Sequence, residues 1–299
     1  MNFPNIFFMM PPKTGTTSLF YTLSRHPDFQ AAKKKETNFF TEWMFKGNFY
    51  KHFIMQNKSM DEFREYYSSQ WETDDNRIKF EISPQYCTIN LCDEGLLASI
   101  RSLVFTHPSP EDIKIIFVSR NPIDRFLSQY IHYRSRYNIA SNKETNDKFV
   151  KTIDWANEWN LDAQRIVGQR TDCITFDKKY LVKDYNQFFQ CYHFYPSDNE
   201  RILKEILTFI KEDNVLILKY EDFKSDYKEF ILKICKFTNA SEVIDWNVMP
   251  NIQTNTGSLW SKWFDIKKEI KDEDMGLLTE YFSEYNERYK NLTGIDYNE

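Results

Sequence analysis

The 299-residue chain has few residues that break structure, with 7 glycines and 10 prolines, and no Gly/Ser-rich or Pro-rich stretch interrupts it. Without linker composition or an internal repeat, the expected organisation is one domain over residues 1–299. No run of about 18 apolar residues is present, and no basic n-region with an apolar h-region precedes the first strand pattern. Neither a membrane span nor a secretory signal is expected, and a cytoplasmic location follows as the expectation. The five cysteines (Cys87, Cys92, Cys173, Cys191, Cys235) are odd in number and scattered, which favours reduced, buried thiols over a disulfide framework. Cys87 and Cys92 have no second ligand pair to complete a zinc site, so no metal is expected. The N-x-[ST] matches at Asn57, Asn239 and Asn291 mean little without a secretory route.

What remains is the composition of a folded enzyme: 41% hydrophobic, 28% charged and 17% aromatic, enough for a sizeable α/β core. The net charge of −5 conceals an asymmetry. Residues 1–60 carry 8 Lys/Arg against 3 Asp/Glu, leaving 31 against 41 for the remainder. A basic amino-terminal end on an acidic body suits a phosphorylated small ligand better than a long polyanion, since nucleic-acid binders spread positive charge over a face.

Ile6-Phe7-Phe8-Met9-Met10 reads as a buried strand, Pro11 to Thr16 as a loop, and Thr17 to Leu23 as a helix. A strand, tight loop and helix make an anion cradle, because N–H groups freed at the helix start and the helix dipole favour negative charge. Lys13 adds a full positive charge, and Thr14, Gly15, Thr16, Thr17 and Ser18 add backbone or hydroxyl donors. The Walker A pattern is absent: there is no leading glycine, and Lys13 precedes Gly15. An ordinary helix start with a nearby lysine fits this stretch equally well.

Further strands are expected at Phe29–Ala32, Ile78–Ile82, Ile113–Val118 and Val215–Lys219, giving an α/β fold with a central parallel sheet of about five strands. Helical patterns cover Glu94–Val104, the stretch from Pro122 to about Tyr137, Leu181–Tyr192, Ile202–Ile210 and a carboxyl-terminal helix. The last has Leu277, Leu278, Tyr281, Phe282, Tyr285, Tyr289 and Leu292 at docking spacing. In such folds ligands lie at the carboxyl ends of strands. Glu36, in Lys33-Lys34-Lys35-Glu36-Thr37-Asn38-Phe39-Phe40, follows the second strand and is placed to accept a proton from a substrate hydroxyl, although a lysine run is also an ordinary solvated face. Glu81 and Tyr86 follow the third strand. Arg120 leaves the fourth, and Ser128 lies two turns into the next helix, so both can converge on one phosphate, with Arg125 turned outward.

Together these residues carry a resemblance. Pro12-Lys13-Thr14-Gly15-Thr16-Thr17-Ser18 resembles the 5′-phosphosulfate loop, and Arg120 with Ser128 resembles the 3′-phosphate site, of sulfotransferases that use 3′-phosphoadenosine-5′-phosphosulfate (PAPS) and release adenosine 3′,5′-bisphosphate (PAP). Lys35-Glu36-Thr37-Asn38-Phe39-Phe40 is similar to the Lys-Glu-Pro-His-Phe-Phe segment of the heparan-sulfate-type branch, whose glutamate is the base. Glu81-Ile82-Ser83-Pro84-Gln85-Tyr86 is similar to that branch's Glu-Lys-[Ser/Thr]-Pro-x-Tyr.

The resemblance implies PAPS as cofactor, Glu36 as base and Lys13 at the leaving phosphate. It also implies Gly257 and Lys262 in a late loop on the 3′-phosphate and adenine. Asn38, Phe39, Glu81 and Tyr86 are the expected acceptor contacts; Trp155 joins them where the polar stretch 138–160 is read as a lid or acceptor-binding insertion, while a surface helix anchored by Trp155 and Trp159 fits that stretch equally well. Thr37, Asn38 and Ile82 replace the branch's proline, histidine and lysine at positions that face the acceptor in the family. Ile82, with the acidic body, points to a small-molecule acceptor hydroxyl, or less readily an amine, over a glycosaminoglycan. A P-loop kinase or NTPase and a catalytically dead nucleotide-binding module are the remoter alternatives. His107 competes as base because cytosolic relatives use a histidine upstream of the 3′-phosphate arginine, but its interval to Arg120 is short. His132 shares the Ser128 helix face and is expected to pack near the cofactor.

Overall fold

The computed structural model describes residues 3–40, 59–72, 76–88, 95–136, 195–249 and 272–298. Trp155, Gly257, Lys262 and the helix expected over 181–192 lie outside them. Chain contacts define two compact units. The first comprises Met1–Thr88, Glu94–Arg120 and Ile202–Thr254, and the second Ile89–Asp93, Asn121–Arg201 and Asn255–Glu299.

The first unit is built on five strands: β1 Ile6–Met9, β2 Phe29–Ala31, β3 Ile78–Ile82, β4 Lys114–Ser119 and β5 Val215–Lys219. They form one all-parallel sheet of order β2-β3-β1-β4-β5. Each expected strand is present within one residue at either end. Parallel strands need crossovers, and the helices that supply them cover both faces, which is why β1 and β4 read as continuous apolar runs. On one face Phe8, Phe80, Ile82, Ile116 and Val118 pack with helix α1 (Thr16–Leu23) and with helices α6 (Tyr220–Ser225) and α7 (Tyr227–Thr238). The register pairs Phe7 with Glu81 and Phe8 with Ile82, so side-chain alternation sends Phe7 and Glu81 to the opposite face. There Phe7 meets Phe40 and His107, near helices α2 (Met60–Ser68) and α3 (Gly95–Thr106).

Ile82 is fully buried in the first of these cores. It corrects the expectation of an acceptor-facing position: a lysine there would bury its ammonium among Phe8, Ile116 and Leu19, at high cost.

In the second unit, helices α4 (Pro122–Arg136) and α8 (Asp272–Thr293) pack through Phe126 and Phe282. Asn121 starts α4 by accepting the N–H groups of Ile123 and Asp124 at 3.0 and 3.2 Å. The expected docking face of α8 is buried at Leu278, Phe282 and Tyr289, while Leu292 is exposed. Arg125, expected to point outward, is instead fully buried and donates Nε–H to Ser197 Oγ at 2.6 Å. Helix α5 (Asn199–Leu207) carries Glu200, which accepts from Arg288 Nε of α8 at 2.9 Å.

Two histidines close helices of the first unit in the same way. His107, after α3, places Nε2 3.1 Å from the Pro4 carbonyl and accepts the Ser109 N–H on Nδ1 at 3.1 Å. His26, after α1, places Nε2 3.1 Å from the Ser241 carbonyl and accepts the Asp28 N–H on Nδ1. One nitrogen must donate and the other accept, which assigns the neutral Nε2–H tautomer to both. Burial pushes both rings below the ordinary histidine value of 6.5.

Because the unfolded chain takes up these protons first, the rings' contribution to stability is present above pH 6.5 and is lost as pH falls below it towards the lowered folded values. His107→Asn should therefore show a flatter fall in unfolding free energy between pH 7 and pH 5 than wild type, measured by urea titration at each pH. Parallel curves would show that His107 does not titrate with folding.

Candidate active site

All strands run parallel, so every strand exit lies at the same edge of the sheet. From β1 the chain enters a loop in which both Lys13 and Gly15 adopt left-handed backbone, φ 75° and 80°. A non-glycine residue held there is uncommon and is over-determined by its surroundings. Here Thr14, almost fully buried, donates its hydroxyl to the Pro11 carbonyl at 2.6 Å. Arg120, at the exit of β4, donates Nη1–H to the Lys13 carbonyl. The Thr14 hydroxyl is thus committed to the loop.

Gly15 is the N-cap of α1, and no side chain caps that helix. Leu19 donates its N–H to the Gly15 carbonyl at 3.0 Å, the helical N–H groups of Thr16 and Thr17 precede that bond, and the first turn contains no acidic residue. Tyr220, at the exit of β5, packs its ring against Gly15 so closely that a Cβ there would overlap it. The Arg120 guanidinium lies over the same ring, 4.9 Å from its centre, and Lys224 lies 4.8 Å from it. The result is an uncapped helix start, a left-handed lysine and a guanidinium fixed on that lysine's carbonyl, which together suit a phosphate or phosphosulfate group.

The segment after β2 carries Glu36. Its carboxylate is half-buried, ion-paired through Oε1 with Lys35 Nζ, and its Oε2 lies 3.4 Å from Gln85 Nε2. Lys33 Nζ is held by the Ser69 carbonyl at 2.9 Å. The glutamate keeps partial exposure and two oriented partners, which suits a group that must meet a substrate proton.

The expected acceptor contacts fare differently. Glu81, Tyr86 and Phe39 are buried at 0%, 1% and 3% exposure. The Glu81 carboxylate accepts from Thr37, Tyr67, Ser83 and Tyr86, with Ser83 Oγ and Tyr86 OH both at 2.6 Å. Burial pushes its carboxyl above the ordinary value, opposed by those four hydroxyls. Burial and the neighbouring carboxylate push the phenols of Tyr67 and Tyr86 far up. Phe39 packs 4.2 Å from Tyr67 and 4.5 Å from Phe63 by ring centres. These three residues are core, which corrects their expected contact with acceptor. Asn38 is half-buried at a left-handed φ of 52°.

Ser128 and His132 are half-buried on α4. His107 packs 4.8 Å from Phe3 with both nitrogens occupied, at the amino edge where β1 begins, which removes it as a base at the carboxyl edge. A cavity of about 510 Å³ beside Phe3, Arg77, Lys79 and Lys114 also lies at that amino edge. Among the described residues no three His, Cys, Asp or Glu side chains converge as metal ligands, and no helix is long and apolar enough to cross a membrane. Sequence reasoning gave no individual role to Gln85 or Ser83. It read Tyr220 as the exit of the last parallel strand but not its contact with Gly15.

The sulfotransferase domain family model matches residues 3–279, so the chain belongs to the sulfotransferase family and is an enzyme of sulfuryl transfer. The crystal structure of a sulfotransferase from Alicyclobacillus acidocaldarius is similar over 99% of this chain and 98% of that one, with 20% identity and a TM-score of 0.62, a likeness of fold. The sulfotransferase domain from the curacin biosynthetic pathway aligns over 94% of this chain and 98% of its own, at 13% identity and TM-score 0.43. A mouse sulfotransferase complexed with PAP aligns over 91% of this chain and 66% of its own, at 16% identity and TM-score 0.39. No curated protein sequence matches.

Gly15→Ala meets two penalties at once, the left-handed φ of 80° and the Tyr220 ring. It should lower unfolding free energy by about 1–3 kcal/mol in urea titration. A change below about 0.5 kcal/mol, the size of an ordinary surface substitution, would mean that the loop relaxes freely.

Proposed function

We propose that the chain acts as one sulfotransferase domain over residues 1–299, moving a sulfuryl group from PAPS to a hydroxyl of a small-molecule acceptor. The observation that carries this is the loop of left-handed Lys13 and Gly15 at an uncapped helix start, with Arg120 on the Lys13 carbonyl. PAPS supplies the sulfuryl group: its sulfur–oxygen bond to the 5′-phosphate breaks as the acceptor oxygen bonds sulfur, and PAP is released. Lys13 and the first N–H groups of α1 neutralise the charge left on the phosphate oxygen. Arg120 and Ser128 take the 3′-phosphate, and Gly257 and Lys262 the adenosine end, by resemblance of their motifs. Glu36 receives the acceptor proton on its carboxylate, oriented by Lys35 and Gln85. With lysine and backbone donors at the phosphate, metal is dispensable.

Support for a small acceptor comes from charge. Outside residues 1–60 acidic residues outnumber basic ones, 41 against 31. Of the lysine run beside Glu36, Lys33 and Lys35 are already engaged, by the Ser69 carbonyl and by Glu36 itself. A sulfated polysaccharide needs an extended basic rail, whereas a compact acceptor does not.

Glu36→Gln keeps shape and removes the proton acceptor, so turnover should fall about 10²–10⁴-fold while PAP affinity stays near wild type. PAP should raise the melting temperature equally with and without EDTA, and Arg120→Ala should weaken it by roughly 1.5–3 kcal/mol. Retained turnover in Glu36→Gln would remove it as base.

The acceptor class is decided by competition between small hydroxylated metabolites and desulfated heparan chains at low and high salt. Transfer to the small acceptors with weak salt dependence is expected. Efficient, salt-sensitive transfer to the polysaccharide alone would reverse the assignment.

A further inference from the structure

Glu81 is a buried charge for which the proposed chemistry has no direct use. Its Oε1 accepts from Thr37 Oγ1, Ser83 Oγ and Tyr86 OH, and its Oε2 from Tyr67 OH. Three of these four hydroxyls are acceptors as well. Ser83 Oγ takes the Asn38 N–H at 3.1 Å, and Thr37 Oγ1 takes the Phe39 N–H at 3.3 Å. Tyr86 OH takes the N–H groups of Phe39 and Phe40 at 3.1 and 3.4 Å. A hydroxyl has one proton, so with its lone pairs turned to backbone donors that proton must point at Glu81. The direction of the bonds from Thr37, Ser83 and Tyr86 is thereby fixed, from backbone amide through hydroxyl to Glu81 Oε1, an oxygen that only accepts.

We propose that Glu81 is a positioning residue: through Thr37, Ser83 and Tyr86 it holds the Asn38–Phe40 backbone and so fixes the segment that carries Glu36. The role of Glu36 as base, on which the consequence for turnover rests, comes from the preceding reading. Two details favour positioning over plain packing. Asn38 sits at a left-handed φ of 52°, a conformation that asparagine adopts more readily than other non-glycine residues, and its N–H is the one Ser83 holds. Gln85, beside Tyr86 in the turn Pro84–Cys87, reaches Glu36 Oε2, so the same hub steadies the carboxylate from its other side. For filling space alone, apolar side chains would serve at lower cost than a buried carboxylate.

The test is residue-resolved amide hydrogen exchange on the full chain, with kcat and PAP affinity measured on the same variants. Tyr86→Phe should speed exchange at Phe39 and Phe40, and Ser83→Ala at Asn38, each about tenfold, while amides of β1 and β4 stay protected. Glu81→Ala, which removes the shared acceptor, should affect all three amides. In each variant kcat should drop about 10–100-fold with PAP affinity unchanged, the signature of a displaced reacting group. Tyr67→Phe, which loses a donor to Glu81 but touches none of the three amides, should disturb them less than Tyr86→Phe for a comparable loss of melting temperature. Uniform acceleration through sheet and loop, with kcat falling in step with melting temperature whichever hydroxyl is removed, would make Glu81 a core-stability group and overturn the proposal. If Glu81→Ala fails to fold, the two single-hydroxyl variants carry the same test. Selective loop exchange together with an active Glu36→Gln enzyme would uphold the positioning role and discard Glu36 as base.

Discussion

Parallel pairing of five strands is the constraint on which the first unit depends. Because each strand must return by a crossover, all five exits open at one edge, and the residues that leave β1, β2, β4 and β5 (Lys13, Glu36, Arg120 and Tyr220) are gathered there by topology. Tight positioning at that edge is then a local matter. Arg120 docks on the Lys13 carbonyl, and Tyr220 fills the space that a glycine leaves, so the exits of the adjacent strand β4 and the edge strand β5 stabilise the loop from the central one. The strained backbone of Lys13 is held from the side and not by the loop sequence alone.

Two glutamates near this edge occupy opposite environments. Glu36 is partly exposed and paired with a lysine and an amide, whereas Glu81 is sealed in and satisfied by four hydroxyls. Such separation lets one carboxylate stay available to substrate while the other serves as an anchor. The pairing of Phe7 with Glu81 on one face of the sheet explains the sealing. That face is roofed by Phe40, Tyr67 and His107, and none of these leaves a path to solvent for a carboxylate in mid-sheet.

The family assignment and the core explain each other. The chain belongs to the sulfotransferase family, and at the exit of β1 it has no Walker loop but a helix start preceded by one left-handed lysine and one left-handed glycine. The substitution of isoleucine for a motif lysine at position 82, which in sequence looked like a change of acceptor specificity, belongs to the hydrophobic core between β3 and α1.

The five strands were legible in the sequence as short apolar runs bounded by turn residues, and so was the loop from β1 into α1, because Lys13, Gly15 and the hydroxyl-rich helix start are adjacent in the chain. The position of Glu36 in the segment after β2 was legible in the same way. What lay beyond reach were contacts set by alternation and register. A strand's period of two sends Ile82 inward and Glu81 to the other face, and a motif read as a string of letters does not reveal which face is sealed. Glu81, Tyr86 and Phe39 therefore read as a pocket, while the tertiary structure made them a hub. The fourfold hydroxyl convergence on Glu81 joins residues 37, 67, 83 and 86, and the Tyr220 contact joins residues 15 and 220. Sequence by itself determined which chemistry the chain could hold. Only packing decided which of its polar residues face a substrate, because exposure belongs to the assembled sheet and not to any one segment.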